Sequence, residues 1–419
     1  MKNIRTVLCL IACALGVSIA TTALAEPTAT VEMKLVPEKA VHDLTHSYLP
    51  LKLTLQESAP AELKKKPEMK APLYGQIKFG GKNYLLALDE PQDKPAKLYV
   101  DANGNGDLTD DPPTQWKPQV SEGHLMYIGS IKLPLSDGDR MVMVNLVAAR
   151  PDPHDPTRAE MSHALLYYAD YAYDGQIKLG DVSYHAVLTN DPANGDFRGE
   201  FKDMPAAGGR LLIDVNHDGQ FDSHSETFDP RAPFNIKGTT WRIADMTAAG
   251  HFKIEKSDQN VPEIPLLVKG EKALPFTATM MDGKEVKFPG DYKGKIVLLD
   301  FWATWCEACM QEMPGVVKTY NQFHPKGLEI LGISLDKADR AEQVRLVSGQ
   351  QGMTWPQVYE GKWWEARLAR MYLIDAIPHP FLVDGDTGKI LAEGDELLGD
   401  GLPASVQKAL EQKAKNVKK

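Results

Sequence analysis

The chain has 419 residues, 43% hydrophobic and 25% charged, proportions of soluble globular proteins that exclude a disordered, collagenous or coiled-coil chain. At roughly 150 residues per domain, that length predicts two or three domains. Lys and Arg number 47 against 57 Asp and Glu, a net charge of −10, which excludes nucleic acid as a generic partner.

Residues 1–25 read as an export signal. Lys2 and Arg5 form a positive start, Val7 to Ile19 is largely apolar, and Ala23-Leu24-Ala25 offers small residues before a cut. Cleavage after Ala25 predicts a periplasmic or secreted protein. A rival reading takes Leu10-Ile11-Ala12-Cys13 as a lipoprotein box acylated at Cys13, although the chain stays apolar from there to Ala25. No later segment approaches the ~20 apolar residues of a membrane helix, so no span is expected in the mature chain. Removal of the signal takes Cys9 and Cys13 with it and leaves Cys306 and Cys309. That count excludes a structural disulfide framework, while an exported location is oxidising enough for a reversible pair to matter.

From about residue 30 to 256 the chain alternates in short runs such as Lys97-Leu98-Tyr99-Val100 and Arg210 to Ile213, broken by Gly, Asp, Asn and Pro. This is a mainly β pattern. It contains an internal repeat: Gly75-Gln76-Ile77-Lys78-Phe79-Gly80 recurs as Gly175-Gln176-Ile177-Lys178-Leu179-Gly180, each copy with an acidic loop downstream. Two β-rich units, at 30–155 and 160–256, are the simplest account. Val261 to Leu274, with Pro262 and Pro265, reads as a linker to a third unit at 262–419, where longer apolar strands alternate with helical patterns.

The acidic loops both follow D-x-N-x-[ND]-G. In the first, Asp101, Asn103 and Asn105 fall at alternate positions; in the second, Asp214, Asn216 and Asp218 do, with Asp222 beyond them. Alternating oxygens before a sharp glycine turn are how calcium loops begin, so these residues are candidate ligands. The twelfth positions, Pro112 and Ser225, lack the bidentate Glu that such a loop ends on. The other reading is a pair of hairpin turns, since Asn-Gly and Asp-Gly form turns unaided. In either case the expected role is to stiffen a β unit.

The stretch Ile296 to Cys309 carries the chemistry. An apolar strand, Ile296 to Phe301, delivers Cys306 to the start of a helix running to about Phe323, with Pro314 interrupting it. A thiolate at a helix N-terminus faces free backbone N–H groups, which lowers its pKa. Cys309, one turn deeper, is placed to resolve a mixed disulfide, so the expected redox group is the Cys306–Cys309 pair itself, with no further cofactor.

In this context the chain resembles the thioredoxin superfamily, and most closely its exported TlpA/ResA-like thiol–disulfide oxidoreductases, over about Leu274 to Leu410. The resemblance rests on Pro275-Phe276-Thr277, Asp282-Gly283, Tyr292-Lys293-Gly294-Lys295, Phe301 to Cys306, and Ile377-Pro378 before Phe381-Leu382-Val383-Asp384. It implies an α/β thioredoxin-like fold, with a cis bond before Pro378 and the backbone of Ile377 pairing with bound substrate. It also implies that Asp300 is the buried acid that moves the proton of Cys309, in agreement with the raised pKa of a desolvated carboxyl. Trp305 would shield the thiol and join the docking surface. Substrate proteins with disulfides and a membrane electron donor are the partners implied.

Departures from the pattern bear on direction. Glu307 and Ala308 stand between the cysteines, and an acidic neighbour raises a thiolate's pKa, which favours a reductant over an oxidase. His379 is unusual after Pro378, and is expected either in the substrate groove near the sulfurs or in solvent. Asp336 lies near where some relatives carry a functional acid, about one residue out of register, and is assigned no role. A peroxidase would need P-x-x-x-T-x-x-C, but Leu299 and Ala303 occupy its signature positions. The remaining alternative is an envelope-binding protein in which the β repeats carry the function.

Overall fold

The computed structural model describes residues 29–91, 96–121, 124–152, 155–198 and 209–417. The expected export signal at 1–25, its expected cleavage after Ala25 and Cys13 lie outside them. In chain order the first strands are β1 (Ala29–Val36), β2 (Leu51–Thr54), β3 (Pro72–Phe79), β4 (Lys82–Asp89), β5 (Lys97–Val100), β6 (Lys117–Ser121), β7 (His124–Asp137) and β8 (Arg140–Pro151). They continue as β9 (Ala164–Ala169), β10 (Ala172–Leu179), β11 (Val182–Thr189), β12 (Leu211–Ile213), β13 (Thr227–Phe228), β14 (Phe234–Ile236), β15 (Thr239–Ala244) and β16 (Lys253–Lys256). The expectation of a mainly β region is met.

These strands form sheets ordered β1-β10-β11-β12-β13, β2-β9-β8-β7-β6, β3-β4-β5 and β14-β15-β16. The two copies of the Gly-Gln-Ile motif occupy β3 and β10, each the first strand of a hairpin whose partner leads to a third strand and an acidic loop. The stretches 30–155 and 160–256 do not close on separate cores, however. β1 pairs with β10 along its whole length, from Ala29↔Leu179 to Val36↔Ala172, and β2 pairs with β9. Phe79, Leu88, Leu133 and Leu146 share one core with Tyr171, Ile177, Leu188 and Ile213. A hairpin with one added strand leaves an apolar face open, and here each stretch covers the other's. The repeated glycine has a steric reason in the second copy: a Cβ on Gly175 would lie 2.1 Å from the Glu32 carbonyl oxygen of β1.

Calcium ligation by the acidic loops finds no support. Among the described residues no group of three or more His, Cys, Asp or Glu is arranged to hold a metal. The Asp101 carboxylate instead accepts the N–H groups of Asn105 and Gly106, at 3.0 and 2.7 Å. Asp214 accepts those of Asp218 and Gly219, both at 3.1 Å. The amides of Asn103 and Asn105 donate to Asp110, and that of Asn216 donates to Asp218. The same oxygens close each loop upon itself as a turn; the second loop joins the paired strands β12 and β13, while the first runs from β5 to β6 of another sheet. Asp222 caps His224 and Ser225, while Glu226, pushed up by burial, accepts from Val215, Asn216 and Asp222.

The linker is docked rather than free: Ile264 and Leu266 pack on the β core, Leu267 and Leu274 on the next. Beyond it come β17 (Phe276–Thr279), β18 (Glu285–Phe288), β19 (Ile296–Trp302), α1 (Glu307–Phe323), β20 (Leu328–Ser334), α2 (Ala341–Gln351) and β21 (Gln357–Tyr359). α3 (Arg367–Met371), β22 (His379–Asp384), β23 (Ile390–Glu393) and α4 (Gly401–Val417) complete the unit. Its sheet runs β21-β20-β19-β22-β23, with β19 to β21 parallel and β22 antiparallel to both neighbours. All seven residues of β19 are buried, as befits a central strand covered on both faces. Pro314 lies within α1 without ending it. Among the described residues no helix is long and apolar enough to cross a membrane.

Candidate active site

β19 ends at Trp302, and a short turn through Thr304 and Trp305 brings Cys306 to the N-cap of α1. Cys306 is extended, and its Sγ accepts the N–H of Cys309 at 3.0 Å, so the sulfur meets one of the free donors of the first helical turn. Cys306 and Cys309 are joined as a disulfide. Cys309 is the deeper of the two, 1% exposed against 6%. Across from them the Ile377–Pro378 bond is cis, and the Ile377 carbonyl oxygen lies 3.6 Å from Cys306 Sγ.

Asp300 interrupts the apolar run of β19 and is 4% exposed. Burial alone pushes its carboxyl up to about 7, and among the described residues its Oδ2 has no hydrogen-bond partner. It shares a cavity of about 10 Å³ with Cys309, Glu312, Pro378 and Pro380. That is room for about one water. A carboxyl so placed is protonated or ionised with comparable ease near neutrality, and can pass a proton to or from the buried sulfur.

The turn before Cys306 is held by Asp336, which has a geometric role that sequence reasoning left unassigned. Its carboxylate, 1% exposed, accepts the Thr304 N–H at 3.0 Å, the Thr304 hydroxyl at 2.6 Å and the Ser334 hydroxyl at 2.9 Å. Trp305 stands on the surface beside the disulfide with its indole N–H donated to the Leu335 carbonyl. Sequence reasoning missed its two neighbours, Trp363 and Trp364, whose rings meet it edge-on at 6.3 and 5.7 Å. The adjacent tryptophans in the chain were the only signal for them.

His379 is half-buried and does not line the Asp300 cavity beneath Cys309. Successive residues of β22 face opposite ways, so Pro378 and Pro380 line the Asp300 cavity while His379 lies on the other side, its ring against Phe381 at 4.9 Å and its Nε2 3.5 Å from Glu393. There it shares a small pocket with Asp222, His224 and Ser225 of the second acidic loop, and His224 Nε2 lies 3.6 Å from Asp375. Asp101, Asn103, Asn105, Asp214, Asn216 and Asp218 stay in the β region as turn residues. The structure thus brings together Cys306, Cys309, Asp300, Trp305, Ile377 and Pro378, and leaves the candidate metal ligands apart.

Comparison with known proteins finds relatives of the C-terminal unit. Residues 269–391 match the AhpC/TSA family. The thiol–disulfide oxidoreductase ResA of Bacillus anthracis is 33% identical over 132 residues, which span 31% of this chain and 70% of that protein. The thioredoxin-like protein YneN of Bacillus subtilis is 35% identical over 95 residues, 22% of this chain and 55% of that one. Among solved structures, the thioredoxin domain of a thiol–disulfide oxidoreductase from Bacteroides vulgatus aligns over 35% of this chain and 99% of its own, at 36% identity and a TM-score of 0.31.

Proposed function

Since the chain belongs to the family of the ResA thiol–disulfide oxidoreductases, we propose that it is an exported reductant of disulfides in substrate proteins. The observation that carries this reading is the Cys306–Cys309 pair at the start of α1 with Asp300 in the cavity beneath Cys309. In the dithiol form the Cys306 thiolate attacks one sulfur of a substrate disulfide, and the other sulfur leaves as a thiolate. Cys309 then passes its proton towards Asp300 and attacks Cys306 Sγ. The substrate leaves as a dithiol and the Cys306–Cys309 disulfide forms. Two electrons and two protons from a donor restore the pair, and a membrane thiol donor fits an exported protein.

Glu307, exposed in the first turn of α1, supports the reducing direction, because a negative charge there disfavours the thiolate and stabilises the disulfide relative to the dithiol. The charged start, apolar run and Ala23-Leu24-Ala25 support export with cleavage after Ala25. The hairpins β3–β4 and β10–β11, each followed by a third strand and an acidic loop, support an origin of the β region in two copies of one unit fused into one core. Trp305 and the Ile377 backbone, flanking the disulfide, are the proposed substrate contacts.

Redox titration of the purified protein against glutathione, joined to alkylation trapping of Cys306 and Cys309 in its own cells, tests the proposal. A reductant gives a potential near that of thioredoxin, about −270 mV, and a mainly reduced pair. A potential near −120 mV, as for a strong oxidase, with a mainly oxidised pair would overturn it.

A further inference from the structure

The surface beside the disulfide carries an aromatic face that the exchange of sulfurs does not use. Trp305 and Trp363 keep 47% and 41% of their surface exposed. Trp364 completes the group, its ring 5.7 Å from that of Trp305 and 6.3 Å from that of Trp363. Single exposed apolar residues are ordinary, whereas a contiguous aromatic group marks a binding surface.

The group is anchored rather than loose. The Asp336 carbonyl accepts the Trp363 N–H at 3.3 Å, and the neighbouring Leu335 carbonyl accepts the Trp305 indole N–H at 3.3 Å. The Asp336 carboxylate meanwhile fixes Thr304, so the end of β20 holds both rings and the cysteine turn in one frame. Trp363 adopts a φ of 53°, a left-handed conformation that bulky residues rarely take. A strained residue that also leaves its ring in water gains little stability from its position, and strain of this kind collects at functional sites.

The geometry points to Trp305, Trp363 and Trp364 as the docking face for an extended segment of the substrate protein, one with an aromatic or large aliphatic side chain next to its disulfide cysteine. This rests on the reading of Cys306 as the attacking thiol. Continuity argues for that occupant: Trp305 directly precedes Cys306, so a chain that presents its sulfur to Cys306 passes over the face. Charge narrows it further. The Lys337 ammonium sits 4.6 Å over the Trp363 ring, which saturates that ring's attraction for cations and repels a second one. Basic residues at the same place in the substrate are therefore disfavoured.

Rigid aromatic anchors lose little freedom on binding, and truncating one typically dominates an interface. The test uses disulfide-linked peptides identical except for Phe, Ala or Lys beside the cysteine, with bis(2-hydroxyethyl) disulfide as a substrate too small to reach the face. The readout is kcat/KM for each peptide divided by that for the small disulfide, measured on the full chain, so a partly inactive preparation cancels. The wild type is expected to favour Phe over Lys about tenfold; Trp363→Ala and Trp364→Ala lower the Phe ratio about tenfold, and Trp363→Phe keeps most of it. Ratios unchanged in both alanine variants would overturn the inference while leaving the exchange reaction intact. A wild-type dimer that Trp363→Ala dissociates would also overturn it, by assigning the face to a second copy of the chain. Failure of the wild type to reduce either kind of disulfide would instead sink the exchange reading, and this inference with it.

Discussion

Replacing Asp300 by Asn removes the buried carboxyl beneath Cys309, and its effect on stability can be worked out with its sign. The folded carboxyl titrates at about 7, against an unfolded value near 3.9. About 3 pKa units at 1.36 kcal/mol each come to roughly 4 kcal/mol. Because the folded value is raised, both states hold the proton below about pH 4 and the group costs nothing there. Between 4 and 7 the unfolded chain releases the proton while the folded chain keeps it, so stability falls as pH rises and the full cost is present above 7. The Asn variant has no such dependence. Its stability relative to wild type should therefore be greater at pH 8 than at pH 5 by about 3 kcal/mol. The fixed cost of burying an amide cancels in that difference, as do all other titrations common to both proteins. Urea unfolding of the oxidised proteins at the two pH values, followed by tryptophan fluorescence, measures it, and the disulfide keeps thiol titration out of the comparison. A difference below about 0.5 kcal/mol would refute the desolvated acid, and with it the proton path through Asp300.

The same substitution should slow release of substrate from the mixed disulfide about a hundredfold at pH 7, seen by quenching single turnovers with acid. Cys309→Ser should accumulate that mixed disulfide, visible as a mass adduct on Cys306, while Cys306→Ser gives no adduct and no turnover. Arg150, 1% exposed, donates to Glu90 and to the carbonyls of Met161, Ser162 and Ala164. Arg150→Met should cost about 3–5 kcal/mol in urea unfolding, since it strands a half-buried carboxylate and three carbonyls. Gly175→Ala drives a methyl into the Glu32 backbone, and should lower stability by about 1–3 kcal/mol or more. Asp214→Ala should cost about 1 kcal/mol by removing the acceptor of the Asp218 and Gly219 N–H groups, with the same loss in calcium and in chelator.

What could be read from the sequence was what local pattern encodes. A strand, a turn and a helix in direct succession place Cys306 at an N-cap whatever surrounds them, and a single Asp in a wholly apolar strand is conspicuous. Pro378 is distant in sequence but carries its own motif. Trp363 and Trp364 had no such signal, because their place beside Cys306 depends on how the turn after β21 meets the end of β20. The role of Asp336 was hidden for the same reason. The second face of β22 could have been read from the period of two, which sends His379 away from the side of Pro378 and Pro380. The acidic loops show a different limit. D-x-N-x-D-G describes a cation loop and a self-closed turn equally well, and what separates them is how many further carboxylates the fold brings to the loop, which among the described residues is too few to hold a metal. The interleaving of β1 with β10 was out of reach, because alternation gives each strand a face but not a partner.

That pairing sets a schedule for the newborn chain. β1 is the first described strand to emerge, yet every one of its sheet partners lies between Ala172 and Leu179. Residues 37–171 must all follow before that partner is available. During that wait the alternating run from Ala29 to Val36 has its apolar side uncovered and both edges open, the state in which strands find wrong partners. Glu32 and Lys34 within the strand put charge on the face that stays outermost, and so keep the waiting strand in solution until its partner arrives.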